Sequence, residues 1–450
     1  MLIFGLLFGG GLVFLSPPFS APDEVSHFFR AYHCSLGKVY ACKHQGQMSN
    51  DRPCTGDDLP CSLSETYVAI ADQAANDEHF KISRAKIDKA AGIALDPQRQ
   101  QFTVFSNTAL YSPAAYLPQS LVIWAARPWQ PAPLALFYLA RAANLIVYVL
   151  LAATAVRLAP IQKWTLALVA LMPMSVYLAA SLSADSMTLG LSLLVVAMTL
   201  NLALGAARPS YRSLLVLGLL LVLLDLSKQA YLGMAVFFLA IPREKFSSPG
   251  RRWLIASLMI GLPLVIDAAW MYSLRGLYVP MLHFVDPQAQ LRWILDHPWS
   301  YAGVVRRAIH QWDIYSLMIG VFGWLGAHLP HWIRDTYWVA MGLAALLDGG
   351  KPIALSLRGK AVAFGTYLFT FAVMATFVYL SWEQVGIKSL GGIQPRYFLP
   401  IIPLLLLTLR ADTKLTASRF SLTIVPTVAM LVPVVAAGVT CWTLVKRYYW

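Results

Sequence analysis

Charged side chains are scarce in this chain: Asp, Glu, Lys and Arg make up 13% of its 450 residues, while 58% are hydrophobic. A soluble domain carries about a quarter charged residues, so this composition excludes an ordinary water-soluble fold and points to lipid as the main solvent. Walker, G-x-G-x-x-G, H-E-x-x-H and G-x-S-x-G strings are missing from any suitable context, which excludes the commonest nucleotide-binding and protease chemistries. Internal repeats and low-complexity tracts are lacking as well. No basic stretch precedes the apolar residues 1–15, and Ser16-Pro17-Pro18 follows them in place of a small-residue cleavage site. That segment reads as an uncleaved first transmembrane helix over residues 1–16 rather than a removed signal.

What is present in quantity is long apolar sequence. A bilayer core about 30 Å thick needs roughly 20 apolar residues per spanning helix, and residues 134–156, 187–207, 254–272, 361–380 and 422–445 meet that need. The expected fold is all-α: a polytopic integral membrane protein with 11–13 transmembrane or membrane-embedded helices and a large extracytoplasmic first loop. Eleven are full spans in this reading; residues 109–126, with Pro113 and Pro118, and 314–325 are re-entrant or interfacial. Three parts follow: the first helix (1–16), a loop subdomain (17–107) and a multi-helix transmembrane domain (108–450).

The net charge of +13 reads as topology and not as affinity for nucleic acid. Residues 17–107 hold 11 of the 22 acidic side chains against nine basic ones. The basic excess lies in short connections: Arg243, Lys245, Arg251 and Arg252; Lys351, Arg358 and Lys360; Arg410, Lys414 and Arg419. Short basic connections stay in the cytoplasm, which places the loop outside a bacterial inner membrane, facing the periplasm or cell exterior, with the lipid bilayer as the charged partner.

Four of the five cysteines, Cys34, Cys42, Cys54 and Cys61, cluster in that loop, and Cys441 stands alone in a late apolar run. Clustered thiols in a translocated loop read as two disulfides with three connectivities. A structural zinc site is the competing reading, weakened by the absence of a C-x-x-C pair. Around the cysteines, residues 23–36 and 65–91 have helical character.

Polar residues in apolar surroundings mark candidate chemistry. Asp23 and Glu24 open the predicted helix at 23–36, and His27 and Arg30 follow Asp23 at i+4 and i+7, on one face. Such a face offers a general base, a hydrogen-bonding or metal-binding imidazole and a cation for phosphate; the plainer reading is that the two carboxylates cap a surface helix. Asp225-Leu226-Ser227-Lys228 interrupts about thirty residues between basic turns, which requires two short helices meeting there, with Lys228 either ion-paired to Asp225 or facing a cavity. Ser181-Leu182-Ser183-Ala184-Asp185-Ser186 separates two further apolar helices. Arg141 in an apolar run either snorkels or faces the cavity, and His328 and His331 read as solvated surface histidines.

Several strings together resemble a bacterial family of predicted membrane proteins of unknown function. They are Pro17-Pro18 with Pro22-Asp23-Glu24, His27, Arg30 and Tyr32; Asn107-Thr108-Ala109-Leu110-Tyr111-Ser112-Pro113 with Tyr116-Leu117-Pro118-Gln119; Ser183-Ala184-Asp185-Ser186; Lys228-Gln229-Ala230-Tyr231; Gly323-Trp324-Leu325-Gly326; and Gln394-Pro395-Arg396-Tyr397-Phe398-Leu399-Pro400. Ala327-His328 departs from the pattern where an acidic residue is expected. The first string is also similar to the Asp-Glu-x-x-His-Phe first-loop motif of GT-C membrane glycosyltransferases such as the protein O-mannosyltransferases.

The resemblance implies transfer of a sugar from a polyprenyl-phosphate donor to an envelope glycan or glycolipid acceptor, on the extracytoplasmic face, with inversion at the anomeric carbon. Asp23 and Glu24 are then the catalytic pair, Asp23 as base and Glu24 orienting it or holding a divalent cation (Mg or Mn). His27, Arg30, Tyr111, Asp185, Lys228, Arg396 and Tyr397 surround the substrate. The rival readings are a lipid-linked saccharide transporter, for which inverted repeats are expected, and a non-enzymatic envelope polysaccharide assembly protein. The topology has a direct test in a background without native cysteines. An impermeant thiol reagent on whole cells should label single cysteines placed in 17–107 and spare those at 243–252, 351–360 and 410–419; labelling at 243–252 from outside overturns it.

Overall fold

A backbone in lipid must satisfy its N–H and C=O groups within its own segment, and the helix is the segment that does so. The structure, a computed structural model, describes residues 1–44, 53–71, 80–280, 282–348, 353–410 and 419–450. In the first part of the chain lie α1 (Leu2–Leu15), α2 (Glu24–Ser35), β1 (Cys42–His44), β2 (Cys54–Pro60), α3 (Cys61–Ala71), α4 (Arg84–Ala91) and β3 (Gln100–Val104). Then come α5 (Leu117–Ala126), α6 (Pro133–Leu158), α7 (Lys163–Ala170), α8 (Pro173–Ala179), α9 (Asp185–Leu204), α10 (Tyr211–Ser227), a 3-10 helix (Gln229–Ala240) and α11 (Pro249–Ser273). The last part holds α12 (Pro287–Asp296), α13 (Pro298–Ile309), α14 (Trp312–Met318), β4 (Val321–Phe322), β5 (Ala327–His328), α15 (His331–Leu347), α16 (Leu357–Trp382), α17 (Ile402–Thr408) and α18 (Arg419–Tyr448). Lys351, Lys414 and residues 72–79 of the expected helix at 65–91 lie outside the described residues.

The fold is that of an all-α polytopic membrane protein. Five helices are long and apolar enough to cross a membrane, α6, α9, α11, α16 and α18, and they fall on the five apolar runs read from the sequence. The other crossings do not appear as full spans: among the described residues the remaining apolar helices are shorter, such as α1 and the 3-10 helix. Pro173 breaks one run into α7 and α8, and Lys228, in extended conformation, ends α10. The run with Pro113 and Pro118 forms only a short 3-10 turn and the ten-residue α5. At 1.5 Å per residue such a helix covers about 15 Å and cannot span. Helix α9 is the central span, 83% buried over its apolar window, against 28% for α11 and α18, which face outward.

The loop subdomain departs from the helical expectation. Its strands form an antiparallel sheet in the order β1-β2-β3, with Cys42 opposite Gly56, His44 opposite Cys54 and Gly56 opposite Val104. The disulfide expectation is corrected here: Cys34, Cys42, Cys54 and Cys61 all stand as free thiols. They are distributed over α2, β1, β2 and α3, and the hairpin register puts Cys42 and Cys54 two positions apart instead of opposite each other.

One buried ion pair fixes how the loop joins the bundle. Arg141 on α6 donates from Nε to Glu24 Oε1 at 2.8 Å and from Nη2 to Oε2 at 2.7 Å, both side chains being fully buried. Its other N–H groups reach the carbonyls of Val13 and Ser16, both at 2.8 Å, and of Pro17 at 3.1 Å. All five guanidinium donors are thus used, two of them on the Val13 and Ser16 carbonyls at the end of α1. Glu24 Oε1 also accepts from the backbone N–H of Leu182. Arg141 therefore neither snorkels nor faces a cavity. Removing one partner leaves a buried unpaired charge, so Glu24→Gln or Arg141→Met should each cost about 3–5 kcal/mol in detergent unfolding experiments. The double substitution to Met should cost much less than the sum; additive losses would show that the two groups do not act as a pair.

Candidate functional site

Asp23 occupies the turn before α2 with φ 61° and ψ 9°, in the left-handed region, which Asp tolerates better than most residues. Its carboxylate makes no capping bond to the helix, so the cap reading does not hold. Instead Oδ1 accepts from Asn107 Nδ2 at 2.8 Å, and Oδ2 lies 3.7 Å from Arg396 Nη2. The left-handed turn also removes Asp23 from the helical repeat, so the expected face through Arg30 is not formed. Arg30 is buried away from Asp23, near His33 and the carbonyls of Val39 and Tyr111.

Arg396 is shared. Its Nε is 3.5 Å from Asp185 Oδ2, while Asp185 Oδ1 accepts from Lys228 Nζ. Asp185 opens α9, and the loop before it is held by Asn144, which donates to the Ser181 carbonyl at 2.8 Å, and by Gln119, which donates to Asn144 Oδ1 at 2.9 Å. Lys228 is not paired with Asp225, as one sequence reading had it: both Asp225 oxygens are buried without a hydrogen-bond partner. The Lys228 ammonium and the Arg396 guanidinium lie 5.2 and 5.7 Å from the centre of the Tyr397 ring. Tyr231 donates its O–H to the Tyr397 carbonyl at 3.0 Å.

These groups line one cavity of about 310 Å³. Asp23, His27, Asp185, Lys228 and Arg396 form its polar part, and Met271 of α11 with Met374, Phe377 and Trp382 of α16 form an apolar wall. His27 stacks on Tyr111, with ring centres 6.1 Å apart and planes 9° apart, and its Nδ1 is 2.7 Å from Tyr116 Oη. Burial pushes the His27 imidazole down to about 4, against the opposing pull of Asp23 and Asp185. The ring is therefore neutral at pH 7, and the cavity carries two carboxylates balanced by two cations.

Glu24 is corrected as a site residue. Its oxygens are taken by the Arg141 guanidinium and the Leu182 amide, and it does not line the cavity. A divalent cation on Glu24 does not fit beside that guanidinium, and no three His, Cys, Asp or Glu side chains come together as a metal site among the described residues. The Gly323–Gly326 string forms the turn between β4 and β5, with φ 60° at Gly323 and 63° at Leu325, and lies outside the cavity. His328 is exposed and His331 accepts from Arg334 Nη2 at 2.8 Å. Asn107, Tyr231 and Gln394 also line the cavity and were not singled out from the sequence, although each sits in a string that was.

Five of the six strings, from Asp23 near the start of the sequence to Tyr397, thus meet around one cavity. The model of a family described as predicted membrane protein (DUF2142) matches residues 6–405. The chain belongs to this family. Comparison with curated proteins and with solved structures gives no match. The family description supports a membrane protein and says nothing of chemistry, so the function rests on the geometry of the cavity.

Two buried histidines make the region around the site sensitive to acid. His33 is held down to about 4 by burial and by Arg30, despite its 2.9 Å contact with Asp57 Oδ2. Both histidines are lower in the folded chain than the unfolded 6.5, so between about 6.5 and 4 the unfolded state binds more protons. Stability is then fully present above about 6.5 and falls as the pH drops towards 4, by on the order of 1.4 kcal/mol per histidine per pH unit at most. Thermal unfolding in detergent should show a lower midpoint at pH 5 than at pH 7, and His27→Gln or His33→Gln should flatten that slope. An identical slope in both variants would dissociate these rings from the effect.

Proposed function

We propose that this cavity is the active site of a GT-C-type membrane glycosyltransferase that takes a polyprenyl-phosphate sugar on the extracytoplasmic face of a bacterial inner membrane. The observation that carries the reading is the juxtaposition of Asp23, part-exposed at 29% of its side chain, with the two cations Arg396 and Lys228 beside an apolar wall. A lipid phosphate leaving group needs cations where its negative charge develops, and its isoprenoid chain needs an apolar surface. An acceptor hydroxyl needs a base within reach.

In the proposed reaction the acceptor oxygen forms a bond to the anomeric carbon as its proton passes to Asp23. The bond from that carbon to the phosphate oxygen breaks, and its electron pair leaves on the phosphate, towards Lys228 and Arg396. Configuration inverts in this single displacement. Asp185 holds the two cations in place before the donor arrives, and His27, neutral and stacked on Tyr111, serves as a hydrogen-bonding group rather than a charge. Tyr397 covers both cations. Glu24 supports the fold and takes no part in the chemistry.

Asp23→Asn keeps shape and one hydrogen-bonding oxygen while removing the base. It should fold and insert normally and lose about 10²–10⁴-fold in transfer rate. Lys228→Met and Arg396→Met should instead weaken donor use by about ten- to a hundredfold each. The assay is transfer from a panel of polyprenyl-phosphate sugars in membranes holding wild type or variant. Activity of Asp23→Asn within twofold of wild type would remove Asp23 from the mechanism.

A further inference from the structure

A second cavity, of about 490 Å³, lies against the first. Ser106, Asn107 and Val279 line both. The rest of the second cavity includes Ser26, Val104, Leu282 and His283, contributed by the start of the loop subdomain, the end of β3 and the segment between α11 and α12. That segment is tied to the sheet, since Thr55 Oγ1 donates to the Leu277 carbonyl at 2.8 Å. Ser106 takes part in the same junction, accepting from the Thr55 N–H at 2.8 Å.

The shared wall contains the hydrogen-bond partner of the base. Asn107 Nδ2 donates to Asp23 Oδ1, while Asp23 Oδ2 faces Arg396. One oxygen of the carboxylate is thus turned towards the cations and the other towards the wall of the second cavity. An inverting displacement requires the incoming oxygen and the departing one to lie on opposite sides of the anomeric carbon. With the phosphate at Lys228 and Arg396, the incoming hydroxyl has to come from the side of Asn107.

We infer that the second cavity is the acceptor subsite and that it takes a saccharide. This rests on the transferase reading above. The lining suits a sugar: Asn107 and the exposed His283 offer hydrogen-bonding groups, and Val104, Val279 and Leu282 offer apolar surface for the C–H face of a ring. The apolar wall of α11 and α16 belongs to the first cavity alone, which separates the lipid-bearing donor from the sugar-bearing acceptor. Asn107 is the positioning residue between them, holding Asp23 where both substrates reach it.

Leu282→Trp fills this cavity and His283→Ala removes its imidazole; neither residue lines the first cavity. The experiment uses the full chain in proteoliposomes, a panel of polyprenyl-phosphate sugars as donors and alkyl glycosides as acceptors. Donor binding without acceptor and transfer with acceptor are read separately. Leu282→Trp should lower kcat/KM for the alkyl glycoside by about tenfold or more, and His283→Ala by a smaller factor in the same direction. Donor binding should stay within about twofold of wild type in both. Transfer unchanged in both variants, with wild type active, overturns the acceptor subsite alone, and so does a parallel loss of donor binding. A wild-type chain that binds no donor in the panel overturns the transferase reading, and the subsite with it.

Discussion

The Glu24–Arg141 pair is the constraint on which the rest of the arrangement depends. A guanidinium with all five donors engaged ties together the end of α1, the turn at Pro17, the first residue of α2 and the middle of α6. Through the Leu182 amide, Glu24 also reaches the loop that presents Asp185. Burying two charges is costly, and such a pair holds only when every remaining lone pair and proton is satisfied. Here the guanidinium has all five donors engaged and Glu24 accepts three hydrogen bonds, which ties the chain at Val13, Ser16, Pro17 and Glu24 to α6. Close packing of α1 on α6 helps, since a Cβ at Gly9 would collide with the Leu145 side chain.

The neighbouring carboxylates Asp23 and Glu24 show how one backbone turn divides two identical functional groups between two tasks. The left-handed conformation at Asp23 sends its side chain off the helix into the cavity, while Glu24, inside the helix, turns into the core. Burial and pairing take Glu24 out of contact with any ligand. The partial exposure of Asp23, with Asn107 on one oxygen and Arg396 near the other, leaves it available. The same logic separates the basic residues. Arg30 and Arg141 are locked into the fold, and Lys228 and Arg396 face the cavity with a carboxylate between them.

Much of this was legible in the sequence, and the parts that were not share a cause. The five spans follow from apolar runs alone, because length and composition decide whether a helix can cross lipid. The break at Lys228 was visible because an ionisable residue inside an apolar run has few places to go. The site residues appeared as short polar strings, and their convergence fits the observation that polar groups in a membrane protein turn inward. Partnership across the chain was illegible: nothing near Arg141 in sequence announces Glu24, and nothing near Lys228 announces Asp185 in preference to Asp225. The sheet was missed because β1 is three residues and β2 carries Gly56, Asp57 and Asp58, which suppress a strand signal. The cysteines misled because proximity in sequence says little about facing side chains in a hairpin.

The 3-10 helix that follows Lys228 has a mechanical consequence. Twelve residues at about 2.0 Å each reach roughly 24 Å, where the same residues as an α-helix would reach about 18 Å. The drawn-out form lets the short segment between Lys228 and Arg243 cover more distance than the same residues would as an α-helix. Runs of this kind longer than three or four residues are uncommon because their hydrogen bonds are poorer, so the segment is a stretched element held by its packing on α16. Lys228 caps the first turn of this helix, so the backbone break that starts it also places the ammonium bound to Asp185.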